Sequence, residues 1–498
     1  MDAVSAAIHE PGGGPDFPGF LAHIGGHLPA HCILTRPDQT VVYECDGLSL
    51  YRQQPPVVVL PETEAQVIAV LRACKAHNVP VVPRGAGTGL SGGATPHPQG
   101  VVVGLAKLNR ILRIDPDACV AVVGPGVRNL AISEAAAVHG LYYAPDPSSQ
   151  IACSIGGNVA ENSGGVHCLK YGLTVHNVLR IRVVTIEGDI LELGSEAPEA
   201  PGLNLLQSFI GSEGMLGLVT EVTVRLIPQP ELAQVVMASF PSVESAGEGV
   251  TRVIAHGIIP AGLELMDKRA VHMVEPFVKA GYDLDAEAIL LCESDGTPQE
   301  VAEEIARVEA LLREAGASRL QVSTSEAERL TFWAGRKNAF PAAGRISPDY
   351  YCMDGTIPRR HLGKVLAAIA RMETEFGLRC SNVFHAGDGN LHPLILFDAN
   401  QPDEVARAEA FGAAILELCV QVGGTITGEH GVGIEKINQM CSQFTREELD
   451  AFSAFKRAFD PWGLLNPLKL IPTLVRCAEY GKMHVHQGNI RFPDIPRF

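Results

Sequence analysis

The sequence predicts a two-lobed α+β protein, and three observations lead to that prediction. The chain has 498 residues, whereas single hydrophobic cores stop growing at about 250 to 300 residues. Short apolar runs of strand length, separated by glycine-rich turns, fill its first half. After the proline-flanked stretch Ile227–Pro230, such runs alternate with amphipathic helical patterns. We therefore expect one domain over residues 1–230, with its core from about residue 52, a second over 231–472 and a tail over 473–498.

The first lobe is predicted to begin with a helix followed by a strand. Thr63 is placed as the N-cap and Gln66 as the residue that closes a capping box, ahead of an apolar helical stripe that ends near Asn78. A second helix should be stopped by Gly140. The predicted elements are strands at Val79–Val82, Val101–Leu105, Val120–Val123, Leu179–Ile186 and Val219–Leu226, with the second helix at Leu130–His139.

The second lobe is predicted to alternate strands and helices. Its strongest helix signal has Thr297 as N-cap, Pro298 at the first position and Glu300 closing the capping box. A second strand and helix set follows over Tyr351–Val422, so the pattern favours a ferredoxin-like α+β cap over an active site. The other predicted elements are strands at Gln234–Phe240, Ala261–Met266, Ala288–Glu293 and Leu320–Ser323, and a helix at Val243–His256.

The charge of the chain restricts its partners. Asp and Glu number 56 against 39 Lys and Arg, which gives a formal net charge of -17. Such a field repels nucleic acid and anionic lipid surfaces, and an anionic substrate needs a local cation or metal to hold it. No apolar run approaches the ~18 residues of a membrane span, and Met1–Pro15 lacks the features of a secretory signal. We expect a cytoplasmic protein that reaches the inner membrane only through a partner subunit.

The cysteines argue against a metal cluster within this chain. All 12 are scattered, without a C-x-x-C pair, so neither an iron–sulfur cluster nor a zinc ribbon is predicted. Buried, reduced thiols are the expected state.

A glycine-rich segment, Arg84–Gly93, predicts a loop whose backbone N–H groups face a phosphate. Its glycines fit the dinucleotide fingerprint, and Gly89-x-Ser91-x-Gly93 fits the hydrolase nucleophile elbow. Both motifs must be followed at once by a helix, which Pro96 and Pro98 exclude. Three further small, donor-rich stretches, at residues 145–149, 154–165 and 211–220, suggest that four loops converge on one long ligand.

These four stretches resemble the FAD-binding domain of the vanillyl-alcohol oxidase (PCMH-type) family. The resemblance implies that Arg84–Gly93 wraps the FAD pyrophosphate and that the later loops hold the rest of the cofactor. Covalent members often attach FAD through a histidine of this loop; the loop has none here, so noncovalent FAD is expected. The predicted cofactor-binding residues are Pro83, Arg84, Gly85, Ala86, Gly87, Thr88, Gly89, Leu90, Ser91, Gly92, Pro147, Ser148, Ser149, Ser154, Gly156, Gly157, Asn158, Asn162, Gly164, Gly165, Glu213, Gly214, Gly217, Thr220 and Asn466.

A hairpin signal marks the second-lobe site. If Asp388 and Gly389 form a two-residue turn, His385 and His392 are directly opposed across two strands and can reach one ion. The segment that follows at Glu429-His430 adds a carboxylate and a third imidazole. The spacing alone also allows the alternative that His385 and His392 are ordinary buried core residues that bind no metal.

These segments resemble the FAD-linked D-2-hydroxy acid dehydrogenases, a similarity that runs over essentially the whole chain, including the tail from Arg476. It implies a divalent metal (Zn, Mn or Fe) at His385, His392 and Glu429. It also implies His430 as the catalytic base and Arg336, within Phe332–Asn338, as the residue that holds the substrate carboxylate. Cys352 stands near the place where the hydroxyglutarate enzymes carry a lysine for a distal carboxylate, which favours a substrate with one carboxylate.

The resemblance implies oxidation of a small 2-hydroxy acid by hydride transfer to FAD, with glycolate favoured over D-lactate. Electrons would pass to companion flavin and iron–sulfur subunits of an oxidase complex, or to quinone. Two alternatives remain: a D-lactate dehydrogenase that works alone and gives pyruvate, and a flavin-binding assembly subunit without catalytic activity.

Overall fold

The computed structural model describes residues 14–197 and 202–472. Most of Met1–Pro15 and the whole tail from residue 473 lie outside the described residues, so the expectations about them stay predictions. Among the helices of the described ranges, none combines the length and the apolar character needed to cross a membrane.

Two main sheets form the first lobe. One has four strands in the order β1-β2-β4-β3, with the last three parallel, and the other has five antiparallel strands in the order β5-β6-β10-β8-β9. A small pair joins β7 to β11. The strands are β1 (Ile33–Leu34), β2 (Val57–Val59), β3 (Val81–Arg84), β4 (Val101–Gly104), β5 (Ile111–Asp115), β6 (Val120–Val123), β7 (Leu141–Tyr142), β8 (Val178–Val184), β9 (Ile190–Gly194), β10 (Leu218–Arg225) and β11 (Ile227–Pro228).

Helices cover these sheets and carry parts of the later site. They are α1 (Phe17–Gly25), α2 (Pro37–Thr40), α3 (Glu64–Ala76), α4 (Asn129–Ala136), α5 (Ile155–Glu161), α6 (Cys168–Tyr171), α7 (Thr174–Asn177) and α8 (Leu205–Phe209). The valine runs of β2 and β4 are buried throughout, as parallel strands covered on both faces usually are. In α3 the predicted cap is half formed: Thr63 accepts from the N–H of Gln66, but the Gln66 side chain accepts from the N–H of Glu62 rather than from Thr63.

The second lobe is built on one antiparallel sheet of seven strands, in the order β15-β12-β14-β13-β17-β18-β16. Its strands are β12 (Leu232–Phe240), β13 (Gly262–Asp267), β14 (Ala288–Gly296), β15 (Arg319–Val322), β16 (Asp349–Cys352), β17 (Arg379–His385) and β18 (Asn390–Phe397). Its helices are α9 (Val243–Ala255), α10 (Lys268–Val278), α11 (Pro298–Glu314), α12 (Glu326–Lys337), α13 (Ala339–Ala343), α14 (Leu362–Phe376), α15 (Glu404–Gln421), α16 (Met440–Gln443) and α17 (Arg446–Phe459).

The pairing of β13 with β17 matters most for the site, because it joins the two predicted strand and helix sets into one sheet. Glu264 in β13 lies directly opposite His385 in β17. The capping box at the start of α11 is confirmed, since Thr297 and Glu300 exchange both hydrogen bonds. Predicted strands agree with the observed ones to within a few residues. The edge strands β5 and β9 were not predicted, because their residues are largely exposed and lack a long apolar run.

Several contacts hold the lobes face to face, and two of them bear directly on the site. The chain after α17 returns to the first lobe, where the N–H of Val81 donates to the carbonyl of Leu464 at 2.8 Å and the N–H of Asn466 donates to the carbonyl of Val81 at 2.7 Å. From the other side, the carboxylate of Glu213 accepts from the N–H groups of Val432 and Gly433 at 2.7 and 2.8 Å. A cavity remains between the lobes.

Candidate active site

The cavity between the lobes has a volume of about 540 Å³ and is lined by all four of the glycine-rich stretches. Its opposite wall comes from the second lobe, with Arg336, His392, Glu429 and His430. The structure therefore brings the predicted cofactor loops and the predicted catalytic residues together. The predicted cofactor residues on its wall are Pro83, Arg84, Gly85, Ala86, Gly87, Thr88, Gly89, Leu90, Pro147, Ser148, Ser149, Ser154, Gly156, Gly157, Asn158, Glu213, Gly214 and Gly217.

The other predicted cofactor residues lie behind that wall, where several of them hold the loops in place. Asn466 donates through Nδ2 to the carbonyls of Gly93 and Glu213, at 3.0 and 2.6 Å. The Thr220 hydroxyl donates to Glu64 at 2.7 Å. The residues in this position are Ser91, Gly92, Asn162, Gly164, Gly165, Thr220 and Asn466.

The loops fit a long ligand rich in hydrogen-bond acceptors. A side chain at Gly85 would collide with the Ser154 hydroxyl, and one at Gly87, where φ is +74°, would collide with the guanidinium of Arg84. The space beside these glycines is therefore occupied by side chains of the loops themselves, which lets the loops pack closely. The buried Ser154 hydroxyl has no hydrogen-bond partner within residues 14–197 and 202–472, as expected for a donor that faces a bound group.

Two carboxylates that the sequence did not single out also line this cavity, Asp46 and Glu161. Burial raises the pKa of Asp46 to about 6, although the N–H groups of Leu48 and Ala94 donate to it. Acidic residues are not expected beside a pyrophosphate, so no sequence pattern pointed to them.

The predicted metal residues form one buried cluster. His392 Nε2 lies 2.9 Å and His385 Nε2 3.3 Å from Oε1 of Glu429, and the three donor atoms lie within 4.8 Å of one another. Burial would lower the pKa of His385, but Glu264 and Glu429 outweigh it and raise that pKa well above its ordinary value. This set of two imidazoles and a carboxylate, in surroundings that favour positive charge, fits a divalent cation.

The predicted hairpin register is wrong by two residues. His385 is paired with Asn390, and His392 with Val383, so the two histidines are diagonal neighbours on one face rather than directly opposed. The reason is a longer loop: the N–H of Gly389 donates to the carbonyl of His385 at 3.0 Å, and the Asp388 side chain accepts from the N–H of Asn390. The imidazole rings still approach each other, with centroids 5.0 Å apart, because diagonal neighbours are within reach of long side chains.

Glu264 joins the predicted metal cluster to Arg336, the residue predicted to hold the substrate carboxylate. Its Oε1 accepts from Nδ1 of His385 at 2.6 Å, and its Oε2 accepts from Nε of Arg336 at 2.6 Å. All three side chains are buried. Sequence reasoning missed Glu264. Its neighbours Leu263 and Leu265 mark it as a carboxylate within a largely apolar strand, but they do not show what it binds.

The base candidate, His430, lies beside the cluster. Its ring stacks on His392 with centroids 5.0 Å apart, and its Nε2 lies 3.9 Å from Oε1 of Glu429. Nδ1 has no hydrogen-bond partner in the described part of the chain. Burial lowers the pKa of His430 to about 4, so the imidazole is neutral at neutral pH and able to accept a proton.

A second buried carboxylate, Asp354, shapes the loop that carries Glu429 and His430. It accepts from the N–H of Glu429 at 3.1 Å and from the N–H of His430 at 2.9 Å, and it pairs with Lys436 at 3.3 Å. Burial would raise the pKa of Asp354, but His430 and Lys436 outweigh it and lower the pKa to about 2. Asp354 is therefore ionised and holds the backbone from which both side chains project.

Cys352 lies at the same centre, with its sulfur within 4.8 Å of ring nitrogens of His392 and His430. It is buried, and burial raises the pKa of its thiol well above the ordinary value. The residue is therefore a neutral, compact side chain beside the reacting groups.

Family models match both lobes. One described as "FAD binding domain" matches residues 55–194, and one described as "FAD linked oxidases, C-terminal domain" matches residues 229–470. Two solved structures share the fold at low sequence identity. They are p-cresol methylhydroxylase, with a TM-score of 0.76 at 19% identity over 90% of this chain and 95% of that chain, and 4-ethylphenol oxidase from Gulosibacter chungangensis, with 0.75 at 16% over 91% and 98%. These matches confirm the predicted PCMH-type fold and FAD as the cofactor.

Curated relatives span nearly the full length. The chain is 62% identical to glycolate oxidase subunit GlcD of Escherichia coli (strain K12) over 95% of both proteins. It is 38% identical to the GlcD subunit of Bacillus subtilis (strain 168), over 86% of this chain and 92% of that protein. It is 32% identical to D-lactate dehydrogenase of Anaerostipes hadrus, over 85% and 91%. The chain therefore belongs to the family of FAD-linked oxidases and dehydrogenases that includes the GlcD subunits and the D-lactate dehydrogenases.

Proposed function

We propose that this chain oxidises a small 2-hydroxy acid, glycolate by preference, to the 2-oxo acid. One observation carries the proposal: Arg336, His430 and two members of the predicted metal cluster, His392 and Glu429, face the FAD-binding loops across one cavity. His385 completes that cluster. Oxidising an alcohol next to a carboxylate needs a cation for the carboxylate, a base for the hydroxyl proton and an acceptor for hydride. The 62% identity to a glycolate oxidase subunit supports glycolate as the substrate.

Arg336 is suited to hold the substrate carboxylate. Its Nε is bound to Glu264, which fixes the plane of the guanidinium and leaves the terminal nitrogens for another partner. A planar guanidinium that is held on one side can bind a carboxylate at two points. This grip positions the α-carbon with respect to the loops of the first lobe.

His430 is suited to accept the hydroxyl proton. Its neutral ring lies on the cavity wall, and the N–H hydrogen bond to Asp354 fixes its backbone. General base catalysis of this kind contributes about 10² to 10⁴-fold.

His385, His392 and Glu429 would hold a divalent cation of Zn, Mn or Fe. When bound, such an ion supplies Lewis acidity that makes the hydroxyl proton easier to remove. The buried carboxylate of Glu264 holds Nδ1 of His385, which leaves Nε2 directed toward Glu429.

FAD is proposed to be held noncovalently by the glycine loops and, when bound, supplies the acceptor for the hydride of the α-carbon. The residues that would hold it are those of Pro83–Leu90 together with the later loops on the cavity wall. Electrons would then leave for companion flavin and iron–sulfur subunits or for quinone, because the 12 cysteines form no cluster motif. Such an arrangement would place the chain in the cytoplasm, at the inner membrane only through a partner.

D-lactate is the second candidate substrate, because relatives at 30 to 33% identity are D-lactate dehydrogenases. A substrate with a second carboxylate is disfavoured by Cys352, which offers no charge beside His392 and His430.

The function is tested by anaerobic reduction of the bound FAD with glycolate, D-lactate, L-lactate and D-2-hydroxyglutarate. Glycolate should bleach the flavin absorbance fastest, and acid denaturation of the same sample should release intact FAD. Faster bleaching by D-lactate would favour the dehydrogenase instead. A flavin that no acid bleaches would indicate an assembly subunit, and flavin that stays in the precipitate would contradict noncovalent binding.

Replacing His385 or His392 by Ala should reduce the metal content and slow FAD reduction by about 10²-fold or more, while FAD stays bound. FAD should stay bound because the glycine loops that hold it belong to the first lobe, whereas the metal ligands belong to the second. Metal analysis and stopped-flow absorbance measure the two effects, with His272→Ala on the exposed face of α10 as control. If neither the substitutions nor chelation changes the reduction rate, the chain uses no metal here.

His430→Ala and Arg336→Lys should fail in different ways. Loss of the base should lower the limiting rate of FAD reduction by about 10² to 10⁴-fold. Lys lacks the planar two-point grip, so Arg336→Lys should mainly raise the glycolate concentration needed for half the limiting rate. Arg345→Lys, at an exposed position, is the matched control. A wild-type limiting rate for His430→Ala would show that His430 is not the base. An unchanged half-saturating glycolate concentration for Arg336→Lys would show that Arg336 does not hold the substrate carboxylate.

A further inference from the structure

Glu161, the last residue of α5, places its carboxyl group between two glycines of different lobes. A Cβ atom at Gly93 would lie 2.7 Å from Oε1 of Glu161, and one at Gly431 would overlap with Oε2. Gly93 ends the glycine loop that follows β3, and Gly431 follows the base His430. Both positions therefore lack a side chain where the Glu161 carboxyl lies.

Glu161 is partly buried, and one oxygen of its carboxyl group is not satisfied. Glu161 contributes to the cavity wall, and its Oε2 is shielded from solvent without a hydrogen-bond partner in residues 14–197 or 202–472. A buried polar atom that is left unpaired destabilises the protein. Glu161 as a whole is partly exposed on the cavity wall, so its carboxyl group can meet a group that is bound there.

The surrounding charges decide which form of the carboxyl is present. Two other carboxylates face it, Glu213 and Asp46, and two ammonium groups, Lys436 and Lys469. Burial, followed by Glu213 and Asp46, raises the pKa of Glu161 well above its ordinary value, and the two lysines only partly oppose this rise. Because a raised pKa keeps an acid protonated up to a higher pH, these surroundings favour the uncharged form of Glu161, which has an O–H to donate.

Glu213 shows why the proton belongs to Glu161. Both carboxylate oxygens of Glu213 accept from backbone N–H groups, those of Val432 and Gly433. These bonds stabilise the charged form of Glu213, whereas Oε2 of Glu161 receives none. Two carboxylates close to each other seldom both ionise, so the unsupported one keeps the proton.

We propose that Glu161 donates a hydrogen bond to the bound FAD from the cavity wall beside His430 and thereby favours the reduced cofactor. The proposal rests on the binding of FAD in this cavity. Reduction adds electron density to the ring system, so a donor O–H binds the reduced form more strongly than the oxidised form. Glu161 would thus be a residue that sets the driving force for hydride acceptance, separate from the base and the substrate arginine.

The test compares Glu161→Gln, which keeps a donor N–H, with Glu161→Leu, which has none. The midpoint potential of bound FAD is measured in each holoprotein without substrate, with Glu134→Gln on the exposed side of α4 as control. Wild type, Glu161→Gln and the control should share one potential. Glu161→Leu should bind reduced FAD about tenfold less tightly relative to oxidised FAD, which lowers the two-electron potential by about 30 mV.

A second measurement keeps the proposal testable if Glu161→Leu does not retain FAD. The infrared difference spectrum between reduced and oxidised wild-type protein should contain a shifted C=O band of a protonated carboxylic acid, which Glu161→Gln abolishes. Three results would overturn the proposal. The first is the absence of that band, and the second is a wild-type potential in Glu161→Leu. The third is a raised potential in Glu161→Gln, which would indicate that the substitution removes a negative charge. Neither measurement uses substrate, so failure of glycolate oxidation is seen separately, and a wild-type protein without FAD would contradict the proposed function itself.

Discussion

The site depends on one buried carboxylate, that of Glu264. It accepts from His385 and from Arg336 at once, at 2.6 Å each, so the proposed metal ligand and the proposed substrate arginine share one anchor. Because β13 pairs with β17 and Arg336 comes from α12, three elements of the cap converge on this side chain. Leaving this buried carboxylate without its cationic partners would cost several kcal/mol. Because of this cost, His385 and Arg336 stay in place before any substrate arrives.

The second constraint is that the cap must face the FAD-binding loops. Glu213 of the first lobe binds the backbone just after His430, and Asp354 of the second binds the backbone of His430 itself. Asn466 then ties Glu213 to the glycine loop at Gly93. The proposed base is thereby fixed relative to the cofactor loops through hydrogen bonds to backbone, which leaves its imidazole for chemistry. This arrangement explains how a reaction divided between two lobes can occur in one cavity.

The glycine loops and the residues from His385 to His430 could be predicted from sequence, because each belongs to a short motif with its own local geometry. Glu264, Asp354 and Glu161 could not. Glu264 lies 72 residues from Arg336 and 121 from His385, so only the strand pairing reveals what it binds. The hairpin register failed for a related reason: the loop after His385 closes through Gly389 and Asp388, and an Asp-Gly pair alone does not fix the loop length.

The most direct test of this account is stopped-flow FAD reduction in Glu264→Gln across glycolate concentrations. His385 and Arg336 donate to different oxygens of Glu264. Gln replaces one of these oxygens by an NH2 group that only donates, so one of the two partners loses its acceptor. Glu264→Gln should show a lower limiting rate together with a higher half-saturating concentration of glycolate, with FAD still bound. Glu287→Gln, in an exposed pair with Lys268, should behave as wild type. Wild-type values for both quantities in Glu264→Gln would contradict the claim that one carboxylate organises the site.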